Sequence, residues 1–376
     1  MNEELEKIAA ALQRQDYRQA AQLLKPLTKS SPENPWVQLY VGQIYEASNK
    51  AKAAEKLYRQ LLRSTSNAKI LSQARQGLSR LERQEKQALE NAIAQAKTRP
   101  GSDQLGVLIL EPIAKEKKAD AAKYLARLTD TDPYTARLQL PTRSWRLYRT
   151  GNMAELQVYS RQMRQGGIAN FCTSTADIQQ LHTFRVSYFQ QLTPQPAVVC
   201  HDQNNQLGVI SFQWSEVRAI VEGLLPLFID SFDFDPRRPR AEQVRYKTKT
   251  HDYTCVCDLH LPQRQSILRF CDSSYNFHEG YSFAQQPNPT ETSLQMTNRP
   301  KWNQLREVLA SHLSQVPIWS LFSPFAETAV ADFPELLSRL PFYMDISRKY
   351  PSAWDPAFQL YSGLVFCQQF PISSDS

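Results

Sequence analysis

Val41-Gly42-Gln43-Ile44-Tyr45-Glu46-Ala47-Ser48-Asn49-Lys50-Ala51-Lys52-Ala53-Ala54-Glu55-Lys56-Leu57-Tyr58 is the stretch that decides how the first quarter of this chain folds. Its small and apolar residues recur at three- and four-residue spacing on either side of Ser48-Asn49-Lys50, as in two amphipathic helices joined by a short turn. The same pattern lies 34 residues upstream: Ile8 matches Gly42, Ala11 matches Tyr45, Ala20 matches Ala54 and Leu24 matches Tyr58. Leu27 matches Leu61 at the same offset, and Arg14-Gln15-Asp16 occupies the place of the turn. Pro32 closes the first unit, because proline cannot continue a helix.

A repeat of this length with these residues resembles the tetratricopeptide repeat family. That pattern has a small residue at position eight, Ala at twenty, an aromatic at twenty-four and Pro at thirty-two. The second unit supplies Gly42, Ala54 and Tyr58, with Ser66 in place of Pro; the first supplies Ala20 and Pro32, with Ile8 and Leu24 as departures. A degenerate third unit is expected over Lys69 to Pro100, with Ala88 and Pro100 in register, Gly77 one place late and Ala92 where the aromatic belongs. The resemblance implies stacked helical hairpins whose concave surface binds a peptide or protein partner. It places Leu5, Ala9 and Leu12 of the first unit, and Leu39, Gln43 and Glu46 of the second, on that surface. Some family members clamp a C-terminal carboxylate there with Lys and Asn. Leu5, Ala9, Leu39 and Gln43 occupy those positions here, which argues against a clamp. A short array that serves only for packing or dimerisation is the plainer alternative. The chain as a whole is also similar to tetratricopeptide proteins of photosynthetic bacteria, some of which assist the assembly of membrane complexes.

Composition bounds the rest. The chain has 376 residues, 41% hydrophobic and 22% charged, which fits two or three globular domains. Only 11 are glycine, which argues against Gly-rich phosphate loops and glycine-punctuated propellers. No apolar run approaches the roughly 20 residues of a membrane span. The acidic start Met1-Asn2-Glu3-Glu4 is not that of a signal peptide, and six cysteines in so long a chain form no disulfide framework. A cytoplasmic location is expected. Residues 1–100 hold 17 Lys+Arg against 10 Asp+Glu, so the formal charge of +7 belongs entirely to the repeats. Such an excess suits an acidic protein surface, RNA or an anionic membrane face, and is also common on solvated helices.

The repeat pattern stops near residue 100. Leu105 to Leu110 then reads as a buried strand, followed by a helix about Lys117 to Thr129, a shorter one from Pro133, a strand Ser144 to Tyr148, a helix Met153 to Gln165 and a strand Ile168 to Cys172. Beyond Ile178, Ala197 to Cys200 and Leu207 to Phe212 flank Asp202-Gln203-Asn204-Asn205 as a hairpin. Trp214 to Phe228 reads as a helix with Pro226 near its end. Gln243 to His260 and Ser266 to Phe270 read as strands, and Trp302 to Leu313 and Phe333 to Leu340 as helices before a Pro- and aromatic-rich tail. The expected fold is therefore multidomain, α plus α+β. Helical repeats over 1–100 precede a small α+β unit over 101–176, an antiparallel sheet with a covering helix over 177–300 and a helical segment over 301–376.

Chemistry is sparse. His251, Cys255 and Cys257 alternate on one strand face with Tyr253, a weak zinc candidate, but no second ligand pair follows at zinc-site spacing. Cysteines on such a strand are more often small core residues. Arg237-Arg238-Pro239-Arg240 with Arg245, Lys247 and Lys249 is the densest basic run. Asp230, Asp233 and Asp235 beside it make a solvated loop the simpler reading and argue against nucleic acid. There is no Gly-x-Ser-x-Gly elbow, Walker loop or dinucleotide fingerprint, so no catalytic residue, metal or cofactor is assigned. The reading favoured is a non-catalytic adaptor or assembly factor that binds a protein through its repeats. Peripheral membrane contact and oligomeric state stay open. The alternatives are an enzyme or small-ligand sensor seated in residues 104–300, and an RNA-binding factor.

Overall fold

The computed structural model describes residues 2–99, 102–234, 244–283, 298–346, 348 and 351–371. It divides into two compact units, Met1–Gln95 and Ala96–Ser376.

The first unit is built from α1 (Asn2–Gln13), α2 (Tyr17–Ser30), α3 (Pro35–Ala47), α4 (Ala51–Ser64) and α5 (Ala68–Lys97). The turns fall where the sequence puts them. Gln15 and Asn49 take the left-handed conformation at φ 60° and 57°. Asp16 caps α2 by accepting the Gln19 N–H at 2.9 Å, and Asn34 caps α3 by accepting the Trp36 N–H at 2.9 Å. The expected third hairpin over Lys69 to Pro100 is instead a single helix of 30 residues. Leu78 to Glu90 contains no Gly, Pro, Asn or Asp to reverse the chain, so the helix runs on. Tyr58 is the centre of the packing. It is fully buried among Leu39, Ala54, Leu61, Ile70, Ala74 and Leu81. Its ring lies between two glycines: a Cβ added at Gly42 would stand 2.7 Å from Cε1, and one at Gly77 2.5 Å from Cε2. The small residue at each position is thus what lets α3 and α5 close on the ring.

The second unit follows the order β1 (Leu105–Leu110), α6 (Lys118–Thr129), α7 (Pro133–Gln139), β2 (Arg146–Asn152), α8 (Met153–Gln165), β3 (Asn170–Ser174) and α9 (Thr175–Gln179). Then come β4 (His182–Gln191), β5 (Ala197–His201), β6 (Leu207–Ser211), β7 (Ala219–Phe234), β8 (Val244–Leu261) and β9 (Ser266–Cys271). The chain ends with α10 (Asn298–His312), β10 (Ile318–Trp319), α11 (Phe322–Asp332), α12 (Pro334–Ser338) and α13 (Trp354–Gln369). β2-β1-β3 form a three-stranded antiparallel sheet, and the other strands a seven-stranded sheet in the order β10-β7-β8-β9-β4-β5-β6. Two of its pairings, β10 with β7 and β4 with β9, are parallel; the rest are antiparallel.

Period-two alternation sorts the side chains into layers. Leu108 and Leu110 of β1 pack under α6, α7 and α8, whereas Val107 and Ile109 face a core shared with α11 and α13. Val221 and Val256 of the large sheet join that same core, while Cys257, Leu259, Leu268 and Phe270 face the opposite side, under Trp302, Leu305 and Leu309 of α10. α13 therefore lies between the two sheets, and every residue from Asp355 to Phe366 is buried. A helix enclosed on all sides carries no amphipathic period, which is why this segment reads as a tail in the sequence.

The order of helical hairpins, antiparallel strands and C-terminal helices is as expected. One element changes type: Trp214 to Phe228 is not a helix, since Ala219 onward forms β7. Its β-branched and bulky apolar residues pair with β8 over the full strand, and Pro226 is tolerated because β10 covers only Ile220 and Val221 on the other edge.

Candidate functional site

A groove of about 690 Å³ opens on the first unit. Apart from Tyr17 at the start of α2, three helices line it, each through one face. α1 contributes Leu5, Ala9 and Leu12; α3 contributes Trp36, Tyr40, Gln43 and Ala47; α5 contributes Lys69, Gln73, Arg80 and Gln84. These spacings of three, four and seven residues keep each set on one helical stripe. Trp36 and Tyr40 stack obliquely with ring centroids 5.9 Å apart, and the Lys69 ammonium stands 5.8 Å from the Trp36 ring. At the far end Arg80 grips Glu46 with both arms, Nε to Oε1 at 2.7 Å and Nη2 to Oε2 at 3.0 Å. The buried Tyr58 hydroxyl donates to the same carboxylate at 2.8 Å. Burial raises the Tyr58 pKa first, and the Glu46 charge adds to it, so the phenol stays protonated. The groove floor is thus tied to the packing core through one carboxylate.

The family model described as Tetratricopeptide repeat matches residues 11–76. These N-terminal helices are tetratricopeptide repeats. No curated protein and no solved structure matches the chain.

Five of the six groove residues expected from sequence line the groove of this tetratricopeptide array: Leu5, Ala9, Leu12, Gln43 and Glu46. Leu39 does not. Its side chain is fully buried against Ala54, Tyr58 and Ile70, on the face of α3 that packs on α4 and α5, and it has no surface to offer. Trp36, Tyr40, Lys69 and Arg80 were not anticipated. A signal for the last was available, since Arg80 stands 34 residues after Glu46, the offset of the repeat itself.

In the second unit the weak zinc candidates do not converge. His251 is exposed at a bulge, where Thr250 and Asp252 pair with consecutive residues of β7 and His251 is passed over. Cys257 is buried on the α10 side, and burial pushes its thiol pKa well up. Burial, with Asp272 adding, pushes the Cys255 thiol to about 11, and the Arg299 guanidinium meets its sulfur at 3.0 Å. Both sulfurs stay protonated, and among the described residues no group of three metal-ligating side chains forms. Of the basic run, Arg237 to Arg240 lie outside the described residues.

A Ser, His and Asp do meet, between β8 and α13. The Ser362 hydroxyl donates to Asp258 Oδ2 at 2.6 Å, and His260 Nε2 lies 2.9 Å from Ser362 Oγ. With the hydroxyl proton given to Asp258, the imidazole N–H must donate to the hydroxyl, the reverse of what a nucleophilic serine needs. All three side chains are fully buried. The set is a packing network.

Its titration is measurable. Burial lowers the His260 pKa from its ordinary 6.5 to about 4, with Asp258 opposing, and its second ring nitrogen has no partner. The unfolded chain therefore takes up this proton before the folded one does. The contribution is whole above pH 6.5 and is lost as pH falls toward 4, by about 3 kcal/mol in all. Urea titrations across that window show the slope, and His260→Gln flattens it.

Proposed function

We propose that the chain is a non-catalytic adaptor or assembly factor whose repeat groove grips an extended segment of a protein partner. The observation that carries this reading is the make-up of the groove. Aromatic faces from Trp36 and Tyr40 stand beside primary amides from Gln13, Gln43, Gln73 and Gln84, on three helices that share one opening. Rings bury an apolar side chain of a bound segment, and carboxamides both donate to and accept from its main chain. Helical repeats stacked in register supply such a surface without any catalytic group.

The six cysteines are all free thiols, in keeping with a reducing, cytoplasmic setting. No helix among the described residues is long and apolar enough to cross a membrane.

The test starts from the full-length chain as bait, with retained proteins identified by mass spectrometry and the recovered partner then titrated in purified form. The double variant Gln43→Ala, Gln73→Ala removes two sets of hydrogen bonds at about 1 kcal/mol each and is expected to weaken Kd about 30-fold. An unchanged Kd in a variant that melts like the parent overturns the groove as the binding site.

A further inference from the structure

The 34-residue repeat carries a second pattern, on the face away from the groove. α2 presents Arg18, Gln22, Lys25 and Lys29; α4 presents Lys52, Lys56, Arg59 and Arg63, each 34 residues after its counterpart. In both helices the spacing is i, i+4, i+7 and i+11, which confines the four side chains to an arc of about 60°. All eight residues are exposed, and the opposite faces, Ala20, Leu24 and Leu27 or Ala54, Tyr58 and Leu61, are buried. Apart from Tyr17 at the start of α2, neither helix contributes to the groove. Stacked repeats differ by a small rotation, so equivalent residues point the same way. The two stripes form one basic ridge.

Seven of the eight positions are cationic, and Glu55 is the sole acid of the two helices. Glu55 pairs with Arg59 at 2.8 Å. Among the described residues no ion pair engages Arg18, Lys25, Lys29, Lys52, Lys56 or Arg63.

We infer that this ridge docks the chain onto an anionic phospholipid bilayer. Charge complementarity requires an acidic occupant, and the chemistry of the face selects which. Tyr17 is the only exposed large apolar side chain among the described residues of the first unit. A protein interface needs buried aromatic or aliphatic anchors at its centre, and a nucleic-acid single strand needs rings to stack on. Tyr17 lines the groove, and beyond it neither is available along α2 or α4. A fluid layer of anionic headgroups needs only evenly spread cations, because the lipids diffuse into register beneath them. Docked in this way, the chain turns its groove away from the membrane and leaves it open to a partner. The inference does not depend on what the groove holds.

The test is flotation of the full-length chain with vesicles of phosphatidylcholine alone and of phosphatidylcholine mixed with phosphatidylglycerol. Binding to the anionic vesicles only, with release at high salt, is expected. Each cation near an anionic surface is worth about a fivefold change in affinity, so Lys25→Gln, Lys29→Gln, Lys56→Gln, Arg63→Gln together weaken binding several hundredfold. A control of equal charge, Lys115→Gln, Lys117→Gln, Arg137→Gln, Arg143→Gln, is expected to bind within about tenfold of the parent. Circular dichroism melts confirm that both variants fold. Equal binding to neutral vesicles, or a ridge variant that binds as tightly as the control, overturns the inference. So does a ridge that retains RNA or an acidic protein while anionic vesicles float free.

Discussion

Asp258→Ala is expected to lower the unfolding free energy by about 3–5 kcal/mol, the cost of leaving one member of a buried ion pair unpaired. Arg269 is 1% exposed and Asp258 0%. The guanidinium reaches both carboxylate oxygens, Nε to Oδ1 at 2.8 Å and Nη2 to Oδ2 at 2.7 Å, and a third donor, Nη1, reaches Gln359 Oε1 at 2.8 Å. Ser362 adds its hydroxyl to the carboxylate. The two charges stand on neighbouring strands, in register across the β8 and β9 pairing, and both face α13. Removing Asp258 leaves the guanidinium in a sealed layer between sheet and helix with only carbonyl and amide oxygens for partners. The double replacement Asp258→Leu, Arg269→Met removes both charges, and it should recover most of the loss, since a buried pair contributes little beyond what well-packed apolar residues of similar size supply. Guanidinium denaturation of the three proteins distinguishes these cases. A single variant within about 1 kcal/mol of the parent would show that water reaches the pair.

Tyr58→Ala should be comparably damaging, at about 3–5 kcal/mol, because it empties the centre of the repeat core. The more telling substitutions are Gly42→Ala and Gly77→Ala. On an open helix, Gly to Ala stabilises by about 1 kcal/mol. Here each new methyl meets the Tyr58 ring within 2.7 Å on one side or 2.5 Å on the other, and the ring cannot retreat from either without striking the other helix. Both are therefore expected to destabilise, by about 1–3 kcal/mol. Tyr58→Phe keeps the ring and loses only the hydrogen bond to Glu46, at about 1 kcal/mol. Amide exchange across Leu39 to Leu81 reads each effect locally. Stabilisation by either alanine would mean that the ring is not held between the two helices.

Much of the repeat unit was legible in the sequence. A 34-residue period, small residues at Gly42 and Ala54, and turn residues at Gln15 and Asn49 each act within one helix or one hairpin, so local pattern suffices to place them. Between Leu105 and Cys172, apolar periodicity and a terminator sufficed to place every expected segment within about two residues except the strand over Ser144 to Tyr148, which runs on to Asn152. The groove was legible in part. Gln43 and Glu46 follow from the repeat register, whereas Tyr40 and Trp36 lie one and two turns before Gln43 on the same stripe and needed the stacking of α1, α3 and α5 to be seen as one surface. Leu39 failed for a related reason: the residue beside a groove position on a helix faces the core or the groove according to where the next helix sits.

α13 shows the limit most clearly. Of its sixteen residues, Trp354–Gln369, every one from Asp355 to Phe366 is buried, the polar Asp355, Gln359 and Ser362 included, because two sheets and α11 enclose it, and periodicity cannot announce a helix that has no solvent side. The change of Ala219 to Phe228 from an expected helix to β7 has the same origin: an apolar run carries no period until a partner strand selects one face. The sequence by itself determined the first two helical repeats, their turns, the concentration of charge in them and the broad order of helices, then strands, then helices. The tertiary structure alone decided that α13 is a core helix, that Asp258, His260, Arg269 and Ser362 form one sealed network, and that Tyr58 is held between two glycines. Those features depend on contacts between residues far apart in the chain, and neither spacing nor composition encodes such distances.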